Sequence, residues 1–375
     1  MKGEGDPMDD SITPIGPATE SRRSFLRKAG FTIVGITGTA ALPEFLAACS
    51  SSPTKKVTTP SAPSSIALIS PQSSGGDPPV LDMIAAMDSA GKAHNAKTRF
   101  VYVSDPSRYT STLNLAADSY DIVITAFPEM GTPIAAAAKA HPKTRFIWIY
   151  GSPLSPSMPN VVSVGYKFYE GMYFAGILAA SVSTTHKIGY IGGAALPTLN
   201  ADYWAYAAGA RTVDPSISVS GAFVGSFTDP TGGLQIADSM YGSGVDVIQT
   251  DASASDDGVL QAAKTRHLYM SWDTDLTAYK QAPDLILGAA ALQFGTSLAL
   301  QLESALQPKW TDGGKFVEQG LKDKVTGYVP SPEFATSASS AAAARFTAGM
   351  SKVHAAEAAV ASGTLTIPYD TKAIP

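Results

Sequence analysis

Carboxylates and aromatic rings occur together at points where predicted strands end. Asp273 follows Trp272 at the end of one predicted strand, and Asp251 closes another. Flat rings beside acidic groups suit a flat ligand, because the ring stacks on it and the carboxylate accepts from its N–H or O–H groups. The candidate residues of this kind are Asp77, Phe127, Tyr150, Tyr203, Trp204, Asp251, Trp272 and Asp273. Core packing is an equally good interpretation of Tyr203 and Trp204, and Asp77 can instead cap a helix.

The sequence carries no signature of catalysis. The histidines are scattered, without a pair at the spacing of metal ligands; they are His94, His141, His186, His267 and His354. The motifs G-x-S-x-G, G-x-x-x-x-G-K-[ST] and G-x-G-x-x-G are missing. Glu129 and Glu170 could form a carboxylate pair, although solvated or capping carboxylates are commoner. We therefore expect a binding protein without catalytic residues, metal or cofactor, rather than an enzyme.

The single cysteine, Cys49, lies behind a short apolar stretch with a basic start. Arg22 and Arg23 belong to the sequence SRRSFLRK, which resembles a twin-arginine export signal. Residues 29–42 carry no charge, but they are too few to span a bilayer, which is typical of a secretory leader. The sequence LAAC at 46–49 resembles a bacterial lipobox, in which the cysteine sulfur receives a diacylglyceryl group. We expect a signal peptide at 1–48 and a lipid anchor at Cys49; a chance cysteine beside an amphipathic helix is the alternative.

The composition limits what the rest of the chain can do. The leader holds five of the 27 basic and six of the 32 acidic residues, so the remaining chain keeps a net charge of −4. This balance argues against nucleic acid as a partner. Residues 49–65 are rich in serine, proline and threonine, which predicts a flexible tether. The part that follows exceeds the usual size of one hydrophobic core, so we expect two lobes.

Short apolar runs alternate with segments of helical periodicity after the tether. The predicted strands are Ile66–Ser70, Phe100–Ser104, Asp121–Thr125, Phe146–Tyr150, Val161–Val164, Lys187–Ile191, Val219–Val224, Val245–Thr250, Leu268–Trp272 and Leu285–Leu287. Predicted helices include Val80–Gly91, Pro133–Ala140, Gly171–Ser183, Gly233–Tyr241, Gly258–Thr265 and Thr296–Leu306. Continuously apolar strands that are each followed by a helix indicate parallel sheets covered on both faces. The sequence therefore predicts an α/β fold of two doubly wound parallel-sheet lobes joined by a hinge: 66–164 with about 290–335, and 165–289 with about 336–375.

Ligands of open α/β sheets bind outside the carboxyl ends of the strands. The corresponding positions in this chain are 72–77, 127–130, 150, 195–199, 251–253 and 272–275. All the candidate carboxylates and most of the candidate rings fall within them.

The stretch PNVVSVGYKFYEGMYFAGILAASVSTTHKIGYIGG, from Pro159 to Gly193, resembles the basic membrane protein (BMP) family of lipoproteins. That family typically shows Asn-Val before a strand, an aromatic-x-Glu-Gly helix start and a Lys-Ile-Gly strand that ends in Gly-Gly. Further similar pieces are YDIVITAF, AKAHPKTRFIWI, VGSFTDP, GSGVDVIQTDA and SWDTDLTAYKQAPDLILGA. The resemblance covers most of the chain after the tether. It implies a type I periplasmic-binding-protein fold and the role of substrate-binding component of an ABC importer.

Departures from the family pattern bear on the ligand. Nucleoside binders usually carry Asp-x-Ser-Phe-Asn after the first strand, where this chain reads GGDPPVLD and keeps Asp77. Tyr150 stands where the fourth strand often ends in aspartate, and Leu292 and Gln293 stand near a position that is often lysine. Two polar groups expected near a ribose are thus absent.

One stretch is similar to members that take a free base such as adenine, and one further residue fits the family as a whole. The stretch YKFYEG, which contains Tyr169, is similar to those members, and Asp273 fits the family's Asp-x-Asp. The resemblance implies a purine base or nucleoside as solute, with ABC permease and ATPase subunits as partners. It also implies a lipid-anchored location on the extracytoplasmic face of the cell membrane. A sugar receptor on the same fold and a ligand sensor for a signalling partner are alternatives.

Overall fold

The computed structural model of the protein describes residues 62–75 and 78–375. The predicted leader, the predicted lipidation site at Cys49, most of the predicted tether and Asp77 lie outside the described residues. None of the helices in the described part of the chain is both long enough and apolar enough to cross a membrane.

Strands and helices alternate along the described chain. The strands are β1 (Ser65–Ser70), β2 (Lys97–Tyr102), β3 (Ile122–Ala126), β4 (Arg145–Ile149), β5 (Val161–Tyr166), β6 (Lys187–Gly192), β7 (Ser218–Phe223), β8 (Val247–Asp251), β9 (Tyr269–Trp272), β10 (Ile286–Leu292), β11 (Phe316–Gln319) and β12 (Thr326–Pro330). The helices are α1 (Pro78–His94), α2 (Tyr109–Ala117), α3 (Gly131–Ala140), α4 (Phe168–Val182), α5 (Pro197–Val213), α6 (Pro230–Gly242), α7 (Asp256–Arg266), α8 (Phe294–Ala305), α9 (Phe334–Ser337) and α10 (Ser340–Ser362).

The strands form two six-stranded sheets. The first has the order β11-β5-β4-β3-β1-β2, and the second has the order β12-β10-β9-β8-β6-β7. Every pairing is parallel except that of β10 with β12, which is antiparallel. The central strands are buried along their whole length because helices cover both faces. The predicted α/β class with parallel sheets is confirmed.

All ten predicted strands are present, and two strands were not predicted. β11 and β12 are short and carry polar residues, glycine or proline, so they lack a continuous apolar run. β2 begins three residues earlier than predicted, because it is an edge strand in which Lys97 and Arg99 can point away from the core. The predicted division into lobes stays a prediction. Two of its segments, residues 290–292 and 326–330, were expected with the first lobe but belong to β10 and β12, which pair with each other in the second sheet.

Helices α4 and α5 pack closely beside the second sheet. A Cβ atom at Gly176 would overlap the carbonyl oxygen of Tyr206, and one at Gly209 would overlap that of Tyr173. The two helix backbones therefore approach each other through their glycines. This packing fixes α5 and the polar residues of its first turns at the carboxyl end of β6.

The chain passes from one sheet to the other at three places: between β5 and α4, between β10 and α8, and between β11 and β12. Glu170 joins the first and third crossings. Its Oε2 accepts hydrogen bonds from the backbone N–H of Leu321 (2.6 Å) and from the Thr326 hydroxyl (3.2 Å). Glu170 is thus a buried structural residue of the crossing region. These hydrogen bonds account for the burial of the Glu170 carboxylate without a pairing with Glu129. Glu129 is exposed on a short turn after β3.

Candidate ligand-binding cleft

Four aromatic rings line the carboxyl edge of the first sheet. Phe294, at the start of α8, has its ring centroid 6.1 Å from that of Phe127, 6.0 Å from that of Tyr150 and 5.8 Å from that of Tyr166. The Tyr150 and Tyr166 centroids are 5.6 Å apart. Tyr150 keeps 42% of its surface exposed, whereas Phe127 and Phe294 are buried. The cluster therefore offers one open ring that is supported from behind by three others.

The backbone is strained at the predicted positions after strands. Phe127 after β3 has φ +76° and ψ +153°, Tyr150 after β4 has φ +57°, and Ser253 after β8 has φ +54°. Side chains other than glycine rarely adopt such angles, which cost on the order of 1–3 kcal/mol each and concentrate at functional sites. The Phe127 backbone is fixed by its N–H to Ile149 O (2.9 Å) and by the Trp148 indole N–H to its carbonyl (2.9 Å). Both rings of these strained residues contact Phe294 at the start of α8.

A pair of buried carboxyls lies at the facing edge of the second sheet. Asp251, at the end of β8, is hydrogen-bonded to Asp202 of α5 and accepts from the Tyr190 hydroxyl at 2.7 Å. Burial, the charge of Asp251 and the hydrogen bond to it raise the pKa of Asp202 well above its usual value. Burial also raises the pKa of Asp251 to about 6, although both hydrogen bonds lower it. Two neighbouring buried carboxyls resist ionising together, so the pair binds a proton more tightly than two separate aspartates would.

A second carboxyl pair lies beside the first. Asp256, at the start of α7, accepts from the Thr250 hydroxyl (2.8 Å) and from the Ala252 N–H (3.1 Å). Asp273 accepts from the Ser253 N–H (3.3 Å). Burial raises the pKa of Asp256 well above its usual value, with a further contribution from the charge of Asp273.

Asp273 keeps a proton into the neutral range. Burial, then the charge of Asp251, raise its pKa to about 7, against the hydrogen bonds from Ser253 and Asp256. A carboxyl that titrates near neutral pH can accept from one ligand group and donate to another.

The carboxyls at the edge of the second sheet act electrostatically on Tyr150 at the edge of the first sheet. Burial raises the pKa of the Tyr150 phenol, and the charges of Asp251, Asp202 and Asp273 raise it further. These carboxyls belong to the second sheet and its helix, whereas Tyr150 belongs to the first. Tyr150 nevertheless keeps 42% of its surface exposed, so a ligand could reach it. The cleft thus has an aromatic wall on one side and an acidic wall on the other.

The structure brings some of the predicted residues together and separates others. Phe127, Tyr150, Asp251 and Asp273 lie at the facing edges. Trp272 is buried in the core between the second sheet and helices α6 and α7, with its ring in the apolar cluster rather than in the cleft. This burial favours core packing, so the predicted ligand contact of Trp272 is not carried into the proposed ligand-binding set.

Core packing is also favoured for Trp204, which packs against the apolar cluster of the second sheet. It lies two positions after Asp202 on α5, about 200° around the helix, so the two side chains point in nearly opposite directions. Its indole N–H donates to the carbonyl of Lys372 at 2.9 Å. Tyr203 is buried and donates to Val219 O at 3.1 Å, in agreement with the core interpretation. Tyr169 lies in the first turn of α4 and contacts the ring of Tyr369.

Four site residues were not found from the sequence. Asp202 is the only acidic residue of α5 and lies among alanines and aromatic residues, and that contrast was the available signal. The rings of Tyr166 and Phe294 contact that of Tyr150, which the strand-end rule had selected, but neither residue is near a selected position in sequence. Phe227, 39% exposed after β7, lies in the similar piece VGSFTDP and packs against the Gly193 backbone. Within 62–75 and 78–375, no group of three or more histidines, cysteines and carboxylates is arranged to hold a metal ion.

The fold and the sequence were compared with known proteins. The crystal structure of an ABC transporter solute-binding protein from Aeropyrum pernix superimposes with a TM-score of 0.65 at 19% identity, covering 82% of this chain and 94% of the other. At that identity the similarity shows the fold alone, which is that of solute-binding proteins.

Relatives of similar sequence carry more specific names. Basic membrane protein A2 of Borrelia garinii is 33% identical over 181 residues, which is 48% of this chain and 53% of that protein. The ABC transporter nucleoside-binding protein BmpA of Lactococcus lactis is 34% identical over 183 residues, 48% of this chain and 52% of that protein. The match thus spans about half the length of these curated relatives.

The profile of one family matches most of the folded chain. It is the Bmp family, described as "ABC transporter substrate-binding protein PnrA-like", and the match runs over residues 66–345. The chain therefore belongs to the Bmp family of ABC transporter substrate-binding proteins, whose members are solute-binding proteins and not enzymes.

Proposed function

We propose that this protein captures a purine base or nucleoside outside the cytoplasm and delivers it to an ABC permease with its ATPase. The observation that carries the proposal is the half-exposed ring of Tyr150 beside the buried carboxyls Asp202, Asp251 and Asp273. A purine is a flat heterocycle with a stacking face and a polar edge. The ring supplies the stacking surface, and the carboxyls supply acceptors together with protonated donors.

A free base fits this cleft at least as well as its nucleoside. Tyr150 stands where nucleoside-binding members often have aspartate, and Leu292 and Gln293 stand near the usual lysine. A ribose would therefore miss two polar partners, and unpaired ligand hydroxyls weaken binding. The name of the Lactococcus lactis relative supports the nucleoside class as a whole.

The proposed ligand-binding set combines both walls of the cleft. It consists of Phe127, Tyr150, Tyr169, Asp202, Asp251 and Asp273, with Asp77 retained from the family pattern.

Two lobes, one on each sheet, would close around the ligand by a hinge at the three crossings, with β12 assigned to the second lobe. Small-angle scattering should then give a smaller radius of gyration with saturating ligand; an unchanged value would contradict closure.

The protein is proposed to be held to the membrane by diacylglyceryl-modified Cys49, after export by the twin-arginine route. Each buried lipid methylene contributes about 0.8 kcal/mol to attachment, so two acyl chains hold a protein where one does not. Residues up to about 65 would then serve as the tether between membrane and cleft.

A thermal-shift screen tests the ligand class. We expect purine bases to raise the melting temperature and pentoses alone to leave it unchanged. Tyr150→Ala should weaken the response, since the loss of a stacked ring costs about 1–3 kcal/mol per base. Tyr102→Ala is the control, because Tyr102 is 49% exposed on the edge strand β2. A response to sugars without any response to purines would favour the sugar-receptor alternative and contradict the proposal.

A further inference from the structure

The segment that follows α10 is fixed against α5. The Asn200 side chain donates to Thr371 O at 3.1 Å, and the Trp204 indole N–H donates to Lys372 O at 2.9 Å. Ile367 is buried in the core of the second sheet. Ile374 lies so close to Gly221 that a Cβ there would be 2.8 Å from its Cδ1. Residues 367–374 are therefore a docked strap on the helix that carries Asp202.

The strap presents one large exposed ring, that of Tyr369. Its centroid lies 5.0 Å from that of Tyr169 at an interplanar angle of 57°. Tyr369 keeps 57% of its surface exposed, although its neighbour Ile367 is buried. Tyr169 begins α4 directly after the chain leaves the first sheet. The tyrosine pair thus stands where the two lobes meet.

The surroundings of Tyr369 connect it to the cleft. Burial, then the charge of Asp202, then that of Glu318 on β11, raise the pKa of its phenol. The charge of Asp202 also raises the pKa of Tyr150. Geometry gives the same placement: Tyr369 packs on Tyr169, and Tyr169 follows Tyr166 of the aromatic cluster by three residues, at the crossing from β5 to α4.

We propose that Tyr369 is a ligand-contacting residue that, together with Tyr169, forms the hinge-side wall of the cleft and packs on the planar ligand when the lobes close. The inference rests on the proposed function and deepens it, because it assigns a contact to a strap that follows the last helix. The ring supplies an aromatic face, and its hydroxyl, protonated at neutral pH, supplies a donor. Exposure of such a ring beside a buried carboxyl is what a binding surface requires before its ligand arrives.

Calorimetry on the full chain with adenine and adenosine tests the wall. Tyr369→Ala should raise the Kd of the purine that the unaltered protein binds by about tenfold or more. Tyr369→Phe should raise it less than about threefold, since the ring is kept. Tyr102→Ala should leave it unchanged. An unaltered Kd in Tyr369→Ala would overturn the inference while leaving the proposed function intact.

Hydroxyl-radical footprinting of the unaltered protein gives a readout that does not depend on a variant folding. Adenine at saturation should reduce oxidation of Tyr369 severalfold and leave that of Tyr102 unchanged. Equal oxidation of Tyr369 with and without bound adenine would overturn the inference. If the unaltered protein binds neither purine, the proposed function fails first, and the purine contact of Tyr369 is refuted with it.

Discussion

The hydroxyl of Tyr190 lies 2.7 Å from Oδ2 of Asp251, and both residues are buried at the carboxyl edge of the second sheet. Tyr190 is on β6 and Asp251 on the neighbouring β8, so the hydrogen bond joins two central strands directly. It holds Oδ2 of Asp251, and Asp251 also shares a hydrogen bond with the buried carboxyl of Asp202. The acidic wall of the cleft is thus built on the rigid centre of the sheet rather than on a loop.

Tyr190→Phe should destabilise the protein by about 1–3 kcal/mol, because it leaves a buried carboxylate without its donor. Tyr206→Phe is the matched control. The Tyr206 hydroxyl is buried and has no hydrogen-bond partner within the described chain, so its loss should be neutral or stabilising. Urea unfolding of both variants measures the difference. Equal effects of the two substitutions would show that the Tyr190–Asp251 hydrogen bond contributes nothing to stability.

The free energy of unfolding should fall as the pH rises from about 4 to about 7. Burial raises the pKa of Asp251 to about 6 and that of Asp273 to about 7, above the usual value of about 3.9 in an unfolded chain. Their contribution is fully present below pH 4 and is lost as the pH passes through 6 and 7. Asp214 has the opposite effect on stability. Hydrogen bonds from Ser216 and His186 lower its pKa to about 2, so its contribution is lost as the pH falls, but only below about pH 4.

Denaturant unfolding at pH 5 and pH 8 measures this slope. Asp273→Asn should flatten it, whereas Asp257→Asn, at an exposed position of α7, should not. A protein that is more stable at pH 8 than at pH 5 would contradict the raised pKa values.

Gly176→Ala should destabilise the protein by about 1–3 kcal/mol, since its methyl group would overlap the Tyr206 carbonyl and push α4 away from α5. Gly242→Ala, where the nearest atom is 3.7 Å away on the Arg266 side chain, should be neutral or slightly stabilising. Thermal unfolding of the two variants compares them. A tolerated methyl group at Gly176 would mean that the helices can separate at little cost.

Cys49→Ala should abolish lipidation and leave uncleaved or soluble protein, because the cysteine sulfur is the proposed acylation site. Mass spectrometry of the mature N-terminus and detergent partitioning measure both effects. Replacing Arg22 and Arg23 by lysine should block export separately. An unmodified Cys49 in the natural protein would refute the anchor.

Much of the fold follows from the sequence because the buried strands are short continuous apolar runs that carry their own signal. β11 and β12 escaped detection because the first is an edge strand and the second includes Gly327 and Pro330. The return of the chain from the first sheet to β12 depends on contacts such as that of Glu170 with Thr326. Those contacts link residues far apart in sequence, which no local pattern reveals.

The site was predictable where the strand-end rule applies. It selected Phe127, Tyr150 and Asp273 without any structure. It could not tell that Asp273 lies at the edge of the sheet while Trp272 is buried in the core, because residue type does not show on which face of the sheet a side chain at a strand end lies. It also could not select Tyr369, which does not directly follow a strand and whose proposed ligand contact depends on the docking of its strap on α5.

Calorimetry of the purified protein with adenine, adenosine and ribose tests the central claim most directly. We predict that adenine binds at least as tightly as adenosine and that ribose does not bind. The physical reason is an aromatic wall that faces protonated and ionised carboxyls, without the usual polar partners of a ribose. Clear preference for adenosine would refute the ranking of base over nucleoside, and binding of ribose without any purine would contradict the account itself.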